Sequence, residues 1–295
     1  MRLVGVSVFE EGHLGWLAFS PGCELTVEAS QARALKLEET GQVGSARAQN
    51  DGDFPVLLRA DTIFRGGRQT RVVERTALVP PRTSKIVPVR CVEKHRWSSP
   101  SAETASFATS GQAGKRMRET LGGVRRATFT STGTPSLIQG VVWDEVRNDL
   151  ERTKMSARTN TESYLPVLAD VRGRHIARAR AANLESPWDA NAAVVLPFRG
   201  KAWLEVFPRS SALRTHVVEL LADLFEESER ADAASPISRH GVLGVAAAIM
   251  RARAVSIPKE HEGDVAESYA LDAPSAWGTA VFRERRLVHL AATIS

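Results

Sequence analysis

The sequence predicts an α+β protein, and three observations carry that expectation. Short alternating apolar segments separated by turn residues fill the first third, and amphipathic helical spacing dominates the second half. Between them lies a basic segment rich in small residues. The 295 residues allow one large domain or two ordinary ones, and 43% hydrophobic with 25% charged residues is the composition of a globular chain. The expected architecture is an N-terminal β-sandwich-like half, a mobile basic loop, and C-terminal helices bearing two β-hairpins. The corresponding divisions are 1–97, 98–135 and 136–295.

Leu3 to Phe9 alternates, and His13 to Phe19 follows the Glu-Glu-Gly turn, so both read as strands. Ser30 offers an N-cap for a short helix from Gln31 to Glu39, closed by Gly41. Val43 to Asn50, Phe54 to Phe64, Thr70 to Val79 and Lys85 to Val92 read as further strands, with Pro80-Pro81 breaking the last two apart. That spacing suggests a sandwich or a partial barrel. Ser98 to Ser110 is dominated by Ser, Ala and Thr, which bury too little apolar area to offset ordering entropy, so a loop is expected there. Beyond it, Leu137, Ile138, Val141, Val142, Val146 and Leu150 share a helical face. A second helix starts near Pro166 and runs to about Ala182. Val194 to Phe207 reads as a hairpin, and Ser210 or Ser211 caps a long amphipathic helix. Val242 to Val255 is another helix, and Gly278 to Thr293 is the second hairpin.

The net charge of +5 is unevenly placed. Arg65 to Arg126 holds fourteen Lys and Arg against four acids, a local +10, which leaves the remainder at −5. No apolar run approaches the roughly 18 residues a membrane helix needs, and the N-terminus lacks a signal-peptide pattern. The two cysteines, Cys23 and Cys91, read as free thiols of a cytoplasmic protein. The charge expectation is an anionic ligand or partner protein, with nucleic acid as an alternative and homo-oligomerisation left open.

Tests for chemistry mostly exclude. Gly111-Gln-Ala-Gly-Lys115 lacks the first glycine and the final Ser or Thr of a P-loop. Cys91 and His95 have no second pair to complete a zinc site, and no GxSxG elbow occurs, so neither metal nor cofactor is assigned. Asp144 and Glu145 are adjacent on a helix, about 100° apart, and cannot both face one substrate. With Glu93 they are the weak candidates for a catalytic acid. Gly66, Gly67, Arg68, Gln69 and Arg71 put two glycines between guanidinium groups, a pattern that suits an anion cradle. Arg96 and Trp97 complete the candidate binding set.

Several blocks resemble a bacterial family, the ADP-ribosylglycohydrolase- and rhodanese-phosphatase-associated protein domain. They are Gly66-Gly-Arg-Gln-Thr-Arg71, Ala77-Leu-Val-Pro-Pro81, Ile86-Val-Pro-Val89, Cys91-Val-Glu93 with Arg96-Trp97, Gln139 with Val142-Trp-Asp-Glu-Val146, and the C-terminal Gly278–Leu290 segment. The resemblance runs from about residue 40 to the end. It implies association with ADP-ribose or NAD metabolism and with stress-response or defence settings, and hence an alternative as an enzyme or sensor for such a nucleotide. Thr62 and Ile63 stand where relatives carry an acidic pair, and His95 replaces a glycine.

Overall fold

A computed structural model describes residues 3–8, 14–19, 27–28, 32, 34–96, 106–182, 190–195, 201–228, 238–259 and 264–295. Two compact units divide the chain at places the composition does not mark. Unit 1 comprises Met1–Glu24 with Arg174–Ser295, and unit 2 is Leu25–Gly173. The mixed helix and strand content is that of an α+β protein.

Unit 1 is built on one antiparallel eight-stranded sheet. Its strands are β1 (Leu3–Val8), β2 (Leu14–Phe19), β12 (Ala192–Val195), β13 (Ala202–Val206), β14 (Arg253–Ile257), β15 (Glu267–Ala273), β16 (Ala276–Arg283) and β17 (Arg286–Ile294). They lie in the order β1-β2-β12-β13-β17-β16-β15-β14. Every residue of β2 is buried because both faces of the sheet are covered. Leu17 and Phe19 join Leu204 and Val206 under α5 (Arg239–Arg251), through Val242, Val245, Ala246 and Ile249. Leu14 and Trp16 join Trp203 and Phe207 under α4 (Ser210–Ser228), through Leu213, Val217, Leu220 and Leu221. A buried hydrogen-bonded pair, His289 Nε2 and Glu205 Oε1 at 3.0 Å, sits beside Phe207 on the second face. β16 and β17 are joined at Glu284 and Arg285, both at positive φ (51° and 62°), as a two-residue type I′ connection requires.

Unit 2 is a closed six-stranded barrel, not a sandwich. Its strands are β4 (Leu35–Glu39), β5 (Ser45–Asn50), β7 (Thr62–Gly66), β8 (Arg71–Val73), β10 (Thr83–Cys91) and β11 (Ser106–Gln112), in the order β10-β5-β4-β11-β7-β8. A three-stranded sheet of β3 (Val27–Glu28), β6 (Val56–Leu58) and β9 (Ala77–Val79) accompanies it. Period-two alternation decides the faces. Leu37, Ala46, Ala48, Phe64, Val73, Val87, Val89 and Phe107 fill the barrel. Ile63, Val72 and Val92 point outward against two helices, α1 (Lys115–Thr132) and α2 (Gln139–Arg152).

Several sequence expectations change here: Phe54–Phe64 and Thr70–Val79 each form two strands, and the helix expected over Val242–Val255 ends at Arg251, with Arg253–Ile257 forming β14. Gln31–Glu39 is not a helix: Leu35, Leu37 and Glu39 alternate on β4, which pairs with β5 from Leu35↔Asn50 to Glu39↔Ala46. Residues 98–135 are not one loop, for they contain β11, which closes the barrel between β4 and β7, and α1. Met117, Leu121 and Phe129 bury one side of α1, and Gly133 at φ +74° ends it, its N–H donating to Phe129 O. The helix expected from Pro166 forms as a π-helical segment, Val167–Arg172, followed by α3 (Gly173–Ala182).

Candidate functional site

The glycine-rich turn between β7 and β8 has the backbone that the sequence implies, and three of its amides are already occupied. Gly66 and Gly67 have φ of +108° and +57°. A Cβ on Gly66 would lie 2.6 Å from Ser106 O, and one on Gly67 would lie 2.5 Å from both Glu39 Oε1 and the Phe107 ring. Gly67 N donates to Ser106 O (3.1 Å), Arg68 N to Glu39 Oε1 (2.8 Å) and Thr70 N to Glu93 Oε2 (3.0 Å). Two of these three amides hold carboxylates of the protein itself. The turn is an anion cradle whose anions are internal.

Glu93 is the hub. Thr70 Oγ1 (3.0 Å) and Thr161 Oγ1 (2.7 Å) also donate to its carboxylate, and Arg96 Nη2 lies 3.0 Å away. Burial pushes the carboxyl's pKa up, but the bonds from Thr161 and Thr70 and the charge of Arg96 prevail and hold it below the ordinary 4.5. A carboxylate held charged in this way is a poor proton donor near neutrality, and its geometry anchors Arg96. Gln69 fixes the same strand end by donating to Glu93 O (2.9 Å) and Lys94 O (3.3 Å).

Arg96 Nη2 also reaches Gly66 O at 3.3 Å, and its side chain is 31% exposed against 6% for Glu93. It borders an open cleft of about 550 Å³, lined by Arg65, Gly66, Glu93, Arg96, Ser106, Phe107, Ala108 and Leu165. Leu165 leads into the π-helical segment, a rare backbone form often found beside functional sites.

Arg71 does not reach the cleft. It is fully buried, on the inward face of β8 at one end of the barrel, against Cys91 Sγ, Gln69 Oε1 (3.1 Å) and Glu39 Oε1 (3.5 Å). Cys91 donates to Gln69 Oε1 at 2.9 Å, and burial pushes its thiol pKa up against the opposing charge of Arg71. A buried thiol held protonated in this way has little thiolate to offer a reaction.

The family model of the ARG and Rhodanese-Phosphatase-superfamily-associated Protein domain (ARPP-1) matches residues 6–293. The chain belongs to this family. The match extends the resemblance from about residue 40 forward to residue 6. No curated protein and no solved structure gives a significant match.

Within the ARPP-1 domain the quoted motifs have distinct physical tasks. Gln139 pairs with the backbone of Cys91 in both directions, accepting from its N–H (2.9 Å) and donating to its carbonyl (2.8 Å), as a neighbouring strand would. Val142 and Val146 enter the core under the barrel wall. The Lys94 Nζ lies 6.0 Å from the centre of the Trp143 ring. Asp144 is exposed and pairs with Arg147 (3.2 Å). Glu145 faces α1, where burial first and then the charge of Asp149 push its carboxyl pKa up, while Arg116, 3.9 Å away, opposes them. The two acids diverge as helical geometry requires, and neither lines the cleft. Among the described residues no group of His, Cys, Asp and Glu could hold a metal. Trp97 lies outside the described residues.

Four of the fourteen basic residues in the Arg65–Arg126 segment are paired with acids as follows. Arg71 meets Glu39, Arg90 meets Glu74 (2.8 Å), Lys115 meets Glu119 (2.9 Å) and Arg125 meets Asp61. Sequence reading missed Glu39, Asp61 and Thr161, since each acts on a residue at least 29 positions away. It also missed Phe107 and Leu165, which gave only an ordinary apolar signal.

Proposed function

We propose that this ARPP-1 domain is a binding module that takes an anionic ligand in the cleft, with Arg96 as the recognising group and Arg65 as a second cation. One observation carries the reading. The Arg96 guanidinium is braced by Glu93 and Gly66 O through a single nitrogen, Nη2, while about a third of the side chain stays open to the cleft. A braced, partly dehydrated guanidinium loses little rotamer freedom on accepting an oxyanion, which favours charge-assisted bonds. An enzymatic role has less support, because Glu93 is held ionised and Glu145 lies away from the cleft. A nucleic-acid role has less support because the four basic side chains paired above are engaged within the fold. The buried Cys91 thiol fits the reducing cytoplasm as the site of action.

Isothermal titration of the full chain with acetate, inorganic phosphate and ADP-ribose tests the reading against Arg96→Gln. Saturable binding of any one of them, weakened at least tenfold in R96Q, supports it. No binding, or binding indifferent to Arg96, refutes it. Oligonucleotide binding that falls steeply with salt would return the nucleic-acid alternative.

A further inference from the structure

We propose that the ligand of this cleft is a monoanionic organic acid, a carboxylate on an apolar body, rather than a phosphate or diphosphate; this rests on the anion-binding reading above. Charge is the first argument. The cleft is lined by two guanidinium groups, Arg65 and Arg96, and by one carboxylate, Glu93, held ionised by Thr70, Thr161 and Arg96. The balance is a single positive charge, which one negative charge neutralises. A diphosphate would bring excess charge toward Glu93.

Backbone donors are the second argument. Phosphate sites at glycine-rich turns work through several free amides that converge on the oxygens. Here the amides of Gly67, Arg68 and Thr70 already donate to Ser106 O, Glu39 and Glu93. Gly66 also lines the cleft, and its carbonyl is an acceptor already taken by Arg96. What the cleft offers is side-chain donors alone, the Arg65 guanidinium and the part of Arg96 not bonded to Glu93 and Gly66 O, which suffice for the two oxygens of a carboxylate.

The third argument is the wall. Phe107, Ala108 and Leu165 line the same cleft, and its 550 Å³ exceeds what a bare ion fills. An apolar body packed on that wall would add affinity in proportion to the area it removes from water.

Calorimetric titration of the full chain at fixed ionic strength decides the matter, with 4-phenylbutyrate, acetate, inorganic phosphate and pyrophosphate against wild type, R96Q and R65Q. The expected result is that 4-phenylbutyrate binds at least tenfold more tightly than acetate or pyrophosphate. R96Q should weaken it at least tenfold and R65Q at least twofold. Arg65 is exposed, so R65Q keeps the test valid should R96Q fail to fold. Tighter, Arg96-dependent binding of phosphate or pyrophosphate overturns this inference and leaves the anion-binding reading standing. Equal binding of acetate and 4-phenylbutyrate overturns the apolar body. Binding of none overturns both readings.

Discussion

Replacing Glu93 by Gln separates the charge of this carboxylate from its shape. Oε2 accepts from Thr70 N, Thr70 Oγ1 and Arg96 Nη2, each at 3.0 Å, and Oε1 accepts from Thr161 Oγ1 at 2.7 Å. A Gln carbonyl at the Oε2 position keeps the first three, and the Thr161 hydroxyl can turn to accept from the new amide. The loss is therefore mainly electrostatic, as bonds to an ionised acceptor fall to neutral strength. With the Arg96 share discounted because that side chain is 31% exposed, E93Q should lower stability by about 2 kcal/mol. The pH dependence follows from the lowered pKa of Glu93 in the fold. Its stabilisation is complete above the ordinary carboxylate value and is lost as pH falls through the folded-state value. Urea unfolding of the full chain at pH 7 and pH 4, followed by circular dichroism, reads both effects. The gap between wild type and E93Q should narrow at the lower pH. A gap under about 0.5 kcal/mol at pH 7, the scale of an ordinary surface change, would refute the anchor role.

Asp61→Asn should destabilise by about 3–5 kcal/mol, because it strands the buried Arg125 guanidinium while leaving a backbone, φ +67°, that Asn adopts readily. A loss below about 1 kcal/mol in urea unfolding would show that the pair contributes little. Gly66→Ala and Gly111→Ala both force a side chain to positive φ (+108° and +98°), but only at Gly66 does the new Cβ strike Ser106 O. G111A should cost about 1–2 kcal/mol and G66A clearly more, measured as shifts in thermal midpoint; equal shifts would contradict the close approach.

Strand character between Phe54 and Val92 and the apolar face of α2 were legible because their signals are local: alternation, the Pro-Pro break, and Val142, Val146 and Leu150 on one face. That Phe54–Phe64 and Thr70–Val79 each divide between the barrel and the three-stranded sheet was not. α1 was not. Lys115, Arg118 and Arg125 read as solvated charges in a glycine-containing segment, yet all three are buried. The partners of Arg125, Asp61 and the Glu74 carbonyl, stand 64 and 51 residues away in sequence. β11 is a run of small residues that becomes a strand only because β4 and β7 both need a neighbour. The site shows the same division. The turn from Gly66 was recognisable as an anion cradle, but nothing local says that Glu39 and Glu93 fill it. Arg71 in a glycine-rich turn suggests exposure, and only barrel closure turns it inward to Cys91.

The composition of unit 1 inverts the order of synthesis and completion. β2 takes its partner in β12, with Leu17 opposite Ala192, and the whole of unit 2 is translated between them. Unit 2 is contiguous and can fold as it emerges, N-terminal portions first. The β1–β2 pair must wait with an apolar strand edge unsatisfied, and its closure over so long an intervening chain is entropically slow. Folding of unit 2 shortens that wait by replacing a long flexible connection with a compact body. In the nascent chain, the strand made early can be enclosed only after Ala192–Val195 has been made.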